Sequence, residues 1–299
     1  MASERGLIMK PSAAKPAHAA LTERQRAALL TLLADEDPAV YQAVREKILA
    51  GGQSAREWLR PHTLSSDPLL RRRAQEITQH LARQTADDRF HAFCLHHHGE
   101  DFDLEHGAWL LAQTQYPDAN LEAYSALLDS YAAELREQLP PSGAARGTLG
   151  AINRFLFVKL GFCGDEQKYY DPENSYLNRV IDRRLGNPIS LCLVYLFLAR
   201  RLRLPVVGIG LPGHFLARFQ NSSDEIYIDA FYRGHFLSKN DCIHHLIRNH
   251  YPLDDAHFSP ATPRQILRRI CANLHQSYLQ MQSVDEAARV QRYLLTLAR

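Results

Sequence analysis

Between Asn187 and Ala230 the period of the apolar residues changes, and that change limits what the chain can become. The segment NPISLCLVYLFLARR opens on an Asn able to cap a first turn and a Pro whose φ is already helical and which has no N–H to leave unpaired. A helix is therefore expected to begin at Asn187 or Pro188. Ile189, Leu193, Leu196 and Phe197 recur at three- and four-residue spacing and are expected to face a core, while Arg200 and Arg201 suit the negative end of the helix. Directly beyond, Pro205 to Gly210, His214 to Phe219 and Glu225 to Ala230 are short runs rich in β-branched or aromatic residues. Pro212-Gly213 and the polar turn Asn221 to Asp224 separate them. A helix followed by a small antiparallel sheet is the expectation for this stretch.

The flanks read differently. From Leu21 to about Leu139 the sequence is a succession of amphipathic helices, as in LTERQRAALLTLLA and ANLEAYSALLDSYAAELREQL, with no strand. Asp37-Pro38 and Asp67-Pro68, thirty residues apart, open two of them, which fits either a HEAT-like repeat or an irregular helical layer. LPPSGAARG, Leu139 to Gly147, concentrates Pro, Gly and Ser and is the best candidate linker. Helices are expected around Thr148 to Leu160 and Tyr176 to Arg184, on either side of the polar loop GDEQKYYDPENS. Pro263 to Leu297 returns to two amphipathic helices resembling a tetratricopeptide-type pair. The fold class is thus α+β and predominantly helical. Residues 1–20 form a tail, 21–140 an all-helical domain, 141–260 a mixed domain and 261–299 a helical hairpin.

Composition removes several function classes. Among 299 residues 45% are hydrophobic and 23% charged, as in ordinary folded proteins, so a disordered or fibrous chain is not expected. The formal net charge is +2, and Arg71, Arg72 and Arg73, like Arg200, Arg201 and Arg203, lie within helical segments as solvated faces, so nucleic acid is not an expected partner. Five cysteines, odd in number and never in a CxxC pair, argue against a disulfide framework and a zinc finger and fit a reducing cytoplasm. The first twenty residues lack the apolar core of a signal peptide, and the longest apolar run, Ile189 to Ala199, is far shorter than the roughly 20 residues that span a bilayer. No membrane association is expected. His96, His97 and His98 are consecutive and so point in different directions, as do His244 and His245; they read as helix surface, with no metal and no cofactor.

The segment YYDPENSYLNRVIDRRLGNPISLCLVYLFLARRLRLPVVGIGLPGHFLARF, followed by EIYIDAF, resembles the SirB-type transglutaminase-like family. Members pair an NSYLN segment with a G-x-P-I-S-L helix and a PGHF strand, and often end in tetratricopeptide helices. The match covers Tyr169 to Phe231. It implies a papain-like core, in which a Cys at a helix N-terminus faces a strand bearing His, with Asp or Asn on the next strand. The chemistry of such a site is plain. A thiol at the positive end of a helix has a lowered pKa, His relays its proton, and the carboxylate holds His in one tautomer. His214 begins one strand and Asp229 ends the next, and a hairpin about Asn221 to Asp224 brings them nearly opposite each other.

The nucleophile's place is filled otherwise. Laying the G-N-C helix opening of catalytic relatives over GNPISLCLVYLFLAR puts Pro188 where their Cys stands, behind an Asn187 cap. Ser190 lies two residues on, about 200° round the helix, and is suited equally to capping. Cys192 lies four residues on, on the same face but a turn deeper, where a Cys is usually a small buried hydrophobe. Asn174, Asn178 and Arg183, ahead of the helix, either line the cleft or cap and pin the loop. The resemblance therefore implies a non-catalytic protein that recognises a protein or peptide partner in a regulatory role, its triad reduced to His214, Asp229 and Ser190. The alternative is an amide-bond hydrolase or acyl-transferase with Ser190 or Cys192 as nucleophile, His214 as base and Asp229 as orienter.

Overall fold

The computed structural model describes residues 21–97, 99, 102–140 and 144–299. The tail expected over residues 1–20, His98 and the middle of the expected linker, residues 141–143, lie outside them. The chain forms two compact units, residues 1–82 and 83–299, and the division falls within the helix Pro68–His96.

The first unit is helical throughout its described residues. Helix α1 (Glu23–Leu33) opens on a capping box in which the Thr22 hydroxyl accepts from the Gln25 N–H and the Gln25 side chain accepts from the Thr22 N–H. Both Asp-Pro sites open helices as their chemistry requires. Asp37 accepts from the Ala39 N–H at 2.8 Å to start α2 (Pro38–Leu49), and Asp67 accepts from the N–H groups of Leu69 and Leu70 to start α4 (Pro68–His96). Between them α3 (Gly52–Leu59) turns the chain back. Leu33, Val44, Ile48, Leu59, Ile77 and Leu81 make the core of this unit.

In the second unit one helix is central. α9 (Pro188–Arg201) packs against α6 (Leu121–Gln138), α8 (Leu177–Arg183), α11 (Pro263–Gln280) and the strands β3 (Val206–Ile209) and β4 (Leu216–Gln220). It starts where expected, with Asn187 as cap and Pro188 as first residue. The expected single apolar stripe is replaced by burial nearly all round. Leu191, Cys192, Val194, Tyr195 and Leu198 are buried along with Ile189, Leu193 and Phe197, while Leu196 is only half-buried. A helix with neighbours on every side needs apolar groups on every side.

The sheet order is β3-β4-β5-β6, all antiparallel, with β5 at Glu225–Asp229 and β6 at His235–Leu237. A second, two-stranded parallel pairing joins β1 (Cys163–Gly164) to β2 (Leu185–Gly186), tying the loop ahead of α8 to the lead-in of α9. Gly164 is required there, since a Cβ would sit 2.5 Å from the Phe231 ring. α5 (Leu104–Gln115), α6 and α7 (Ala145–Asn153) lie on either side of the Pro/Gly/Ser-rich stretch, and α7 widens into a π-type turn over Arg154–Lys159. α10 (Lys239–Arg248) follows the sheet; α11 and α12 (Val284–Leu297) pack against each other, joined by Met281 to Ser283. Trp109 and Leu128 from the helices before residue 140, and Ile266, Ile270 and Leu274 from α11, share one core with Tyr195. That shared core is why the compact units divide near residue 82 and not at the stretch 139–147 or at 261.

Candidate functional site

His214 follows the turn Pro212-Gly213, where Gly213 adopts φ +73°, and Asp229 closes β5. In the register Ala217 faces Ile228, so Asp229 lies across from the start of β4 and His214 reaches it diagonally from two residues earlier. The His214 Nε2 and an Asp229 carboxylate oxygen are 2.7 Å apart. The other oxygen accepts from the N–H groups of Phe231 and Tyr232 at 3.1 and 3.2 Å, so the carboxylate is fixed by the turn that follows it. From the opposite side Arg269 of α11 donates to the carbonyls of Leu211 and His214, each at 2.7 Å. Burial holds the Arg269 pKa below the usual guanidinium value. Ring and backbone of His214 are thus positioned independently. With Nε2–H directed at the carboxylate, Nδ1 is the nitrogen left for anything else.

The first turn of α9 is a closed polar knot. Asn187 accepts from the Ser190 N–H at 3.0 Å and donates through Nδ2 to the Ser175 hydroxyl at 2.8 Å. The Ser190 hydroxyl is fully buried, 2.6 Å from the Asn174 carbonyl and 3.1 Å from that of Asn187. Asn174, also fully buried, donates to the Lys168 carbonyl at 2.8 Å, and Asn178 is buried in α8. Arg183 lies apart from this knot, among Asp165, Asp171 and Glu173 at 3.2–3.5 Å, and ties down the loop that carries them. Pro188 is buried one turn above Cys192 on the same face. The Cys192 thiol donates to the Phe215 carbonyl at 3.5 Å, and burial, then the Asp229 charge, push its pKa well up.

The structure brings together His214 and Asp229, and separately Asn174, Asn187 and Ser190. It also adds residues the sequence had not marked. A cavity of about 360 Å3 opens beside His214 and Asp229, walled by Tyr232, His235, Cys242 and His245 among others. The rings of His214 and His245 are 5.9 Å apart between centroids. Burial, then the neighbouring His214, lower the His245 pKa, and burial raises the Cys242 thiol to about 12. A second cavity of about 590 Å3, walled by Cys163, Asp165, Phe231 and Arg233, shares Tyr232 with the first. The sequence signal for His245 was the spacing Cys242, His245, Leu246, one face of an amphipathic helix; read as half of a histidine pair it gave nothing. Arg269 carries no local signal at all. Among the described residues no group of three or more His, Cys, Asp or Glu side chains has an arrangement suited to a metal, and no helix is long and apolar enough to cross a membrane.

A buried helix with its capped N-terminus beside an antiparallel sheet, with His214 two residues ahead of β4 paired to Asp229 at the end of β5, is the arrangement of a transglutaminase-like domain. Residues 122–272 match the sequence model of the transglutaminase-like superfamily, and the chain belongs to that superfamily. A UPF0162 protein of Xylella fastidiosa (strain 9a5c) is 39% identical over 205 residues, covering 66% of this chain and 73% of that protein. A UPF0162 protein of Pseudomonas aeruginosa is 33% identical over 179 residues, 58% of this chain and 63% of its own. Human F-box only protein 21 is 34% identical over 157 residues, 50% of this chain but 25% of that protein. No solved structure matches the chain.

Proposed function

We propose that this chain is a non-catalytic, SirB-type member of its superfamily, a cytoplasmic regulatory factor that recognises a protein or peptide partner through the cleft beside His214. In this reading α11 and α12 are a tetratricopeptide-like pair, and His214, Asp229 and Ser190 are the remnant of a triad. The observation that carries it is the position of the Ser190 hydroxyl, 2.6 Å from a backbone carbonyl inside a buried knot, behind a proline that has no nucleophilic atom. Cys192 is equally unsuited, since a thiol sealed in an apolar helix with a raised pKa is not a thiolate at neutral pH. Recognition is supported by aromatic side chains beside the cleft. Tyr170 is 48% and Tyr232 58% exposed, and both belong to a chain of ring contacts running through Tyr169 and Phe231 toward His214. Tyr offers a large contact area at low conformational cost.

The alternative, an amide-bond hydrolase or acyl-transferase using Ser190 or Cys192, draws on the His214–Asp229 bond of 2.7 Å, the geometry of an oriented base. An array of immobilised peptides probed with the full chain separates the two. The expected result is a subset of peptides retained intact and released by Tyr232→Ala. Cleavage or acyl transfer on a retained peptide, abolished by His214→Ala, would overturn the non-catalytic reading. Retention of no peptide would overturn recognition.

A further inference from the structure

The walls of the 360 Å3 cavity between the sheet and α10 are unevenly provided with hydrogen-bond partners. The Asp229 carboxylate is already occupied on both oxygens, and Asp241, exposed to solvent, on one. Asp229 accepts from His214, Phe231 and Tyr232, and Asp241 accepts from the N–H and hydroxyl of Ser238 at 2.7 and 2.6 Å. The imidazoles are not. His214 has Nδ1 left once Nε2 faces Asp229, and the His245 Nε2 is buried with no hydrogen bond among the described residues, although the Pro212 carbonyl is close by. Apart from the second, solvent-exposed Asp241 oxygen, the open valences of the cavity are therefore the two imidazole nitrogens, which are potential donors.

The charge of the surrounding segment has the same sense. Phe231 to His250 contains Arg233, Lys239 and Arg248 against the single Asp241, plus four histidines, His235, His244, His245 and His250. The floor of the cavity is apolar, formed by Leu211, Leu216 and Leu237. A ligand matching these walls has a short aliphatic stem and an anionic, acceptor-only head.

We propose that this cavity is a carboxylate-binding pocket, in which an acidic group of the partner peptide seats between the imidazoles of His214 and His245. The proposal rests on the recognition reading and names the chemistry of its ligand. Rings whose centroids are 5.9 Å apart suit one carboxyl group offering an oxygen to each. Donation from both nitrogens of His214 requires its imidazolium form, held between Asp229 and the incoming carboxylate, so binding takes up one proton from solvent. The groups facing the pair are Asp229 and Tyr232 from the β5 side, His235 from β6, Asp241, Cys242 and Arg248 from α10, and Arg269 on the His214 carbonyl. At His245 the Asp229 charge raises the pKa and Arg248 lowers it, and the ligand's own charge favours the protonated form. Affinity then rises about tenfold for each unit fall in pH, wherever the free protein's imidazole is neutral.

The test is NMR of the full chain labelled with 15N in its histidines. The probes are N-acetyl-glutamate α-methylamide, with a side-chain carboxylate, N-acetyl-alanine, with a C-terminal one, and N-acetyl-glutamine methylamide as the neutral control. Saturable shifts of the His214 and His245 ring nitrogens are expected with at least one acid and with no neutral probe, and which acid binds identifies the source of the carboxylate. The dissociation constant should fall about tenfold per pH unit on acidification, and His245→Gln should raise it about tenfold or more. Absence of shifts with both acids, or an affinity indifferent to pH in the unaltered chain, would overturn the proposal whatever the variant does. Peptides retained on the array with no dependence on pH or His245 would overturn this pocket and leave the recognition reading standing. An array without binders, beside a responsive pocket, would do the reverse.

Discussion

Ser190 decides between two accounts of the same sequence. As a nucleophile its hydroxyl would face His214; in the fold it instead lies 2.6 Å from the Asn174 carbonyl and helps fix the loop to the first turn of α9. Ser190→Ala is therefore expected to destabilise the chain by roughly 0.5–1.5 kcal/mol, the net worth of a hydrogen bond whose acceptor carbonyls each keep a backbone N–H, as read from the urea midpoint. A variant as stable as the parent would show the bond to be idle. The Cys192 thiol, with its raised pKa, should be alkylated by iodoacetamide at neutral pH far more slowly than the half-buried Cys163, which peptide mapping after a short pulse can rank. Faster labelling at Cys192 would return it to candidacy. At this scale the sequence was legible where several residues matched a pattern together, as for His214 and Asp229. It read His245 as ordinary helix surface and was silent on Arg269, because the partners of both are distant in the chain.

Among the elements, α9 and the strands β3 to β5 were visible in advance because each is long enough to show a period or is bounded by Pro, Gly or a polar turn. β1, β2 and β6 are two or three residues long, too short for any alternation to register. α10 has a property of its own. It packs His245 against His214 and the cavity, and burial and His214 depress the His245 pKa from its ordinary 6.5. The sign follows from proton counting. Below pH 6.5 the unfolded segment takes a proton that the packed helix resists, so the stabilisation is full above 6.5 and declines as the pH falls through the lowered value. The effect is modest, because His245 is partly exposed and screened by solvent. Amide exchange along α10 should therefore accelerate relative to α9, after correction for intrinsic rates, between about pH 7 and pH 5. Unchanged relative protection, or the same acceleration in His245→Gln, would contradict this assignment.

At the scale of the whole molecule the division within α4 was invisible in the sequence, because a 29-residue helix with no internal Pro or Gly runs through it. The Pro- and Gly-rich stretch near residue 140 was the more conspicuous feature and yet lies within one compact unit. Leu33 is fully buried in the core of the first unit, so Leu33→Ala should cost that unit about 3–5 kcal/mol, read as a lower urea midpoint for its unfolding. A midpoint unchanged by the substitution would contradict that placement of Leu33.

The scaffold holds an oriented His–Asp pair, and the proposed non-catalytic reading puts Pro188 at the position of the nucleophile. Pro188→Cys, made in a Cys163→Ser background to remove the half-buried native thiol, places a sulfur at the N-terminus of α9, where the helix dipole favours the thiolate and where, if the proposed placement is right, His214 does too. The rate of iodoacetamide alkylation at residue 188 is the measurement, followed against pH and repeated with His214→Ala. The thiol should react well below pH 8, and its reactivity should fall when His214 is removed. A folded variant in which that thiol reacts no faster than an ordinary surface cysteine, with or without His214, would contradict that placement.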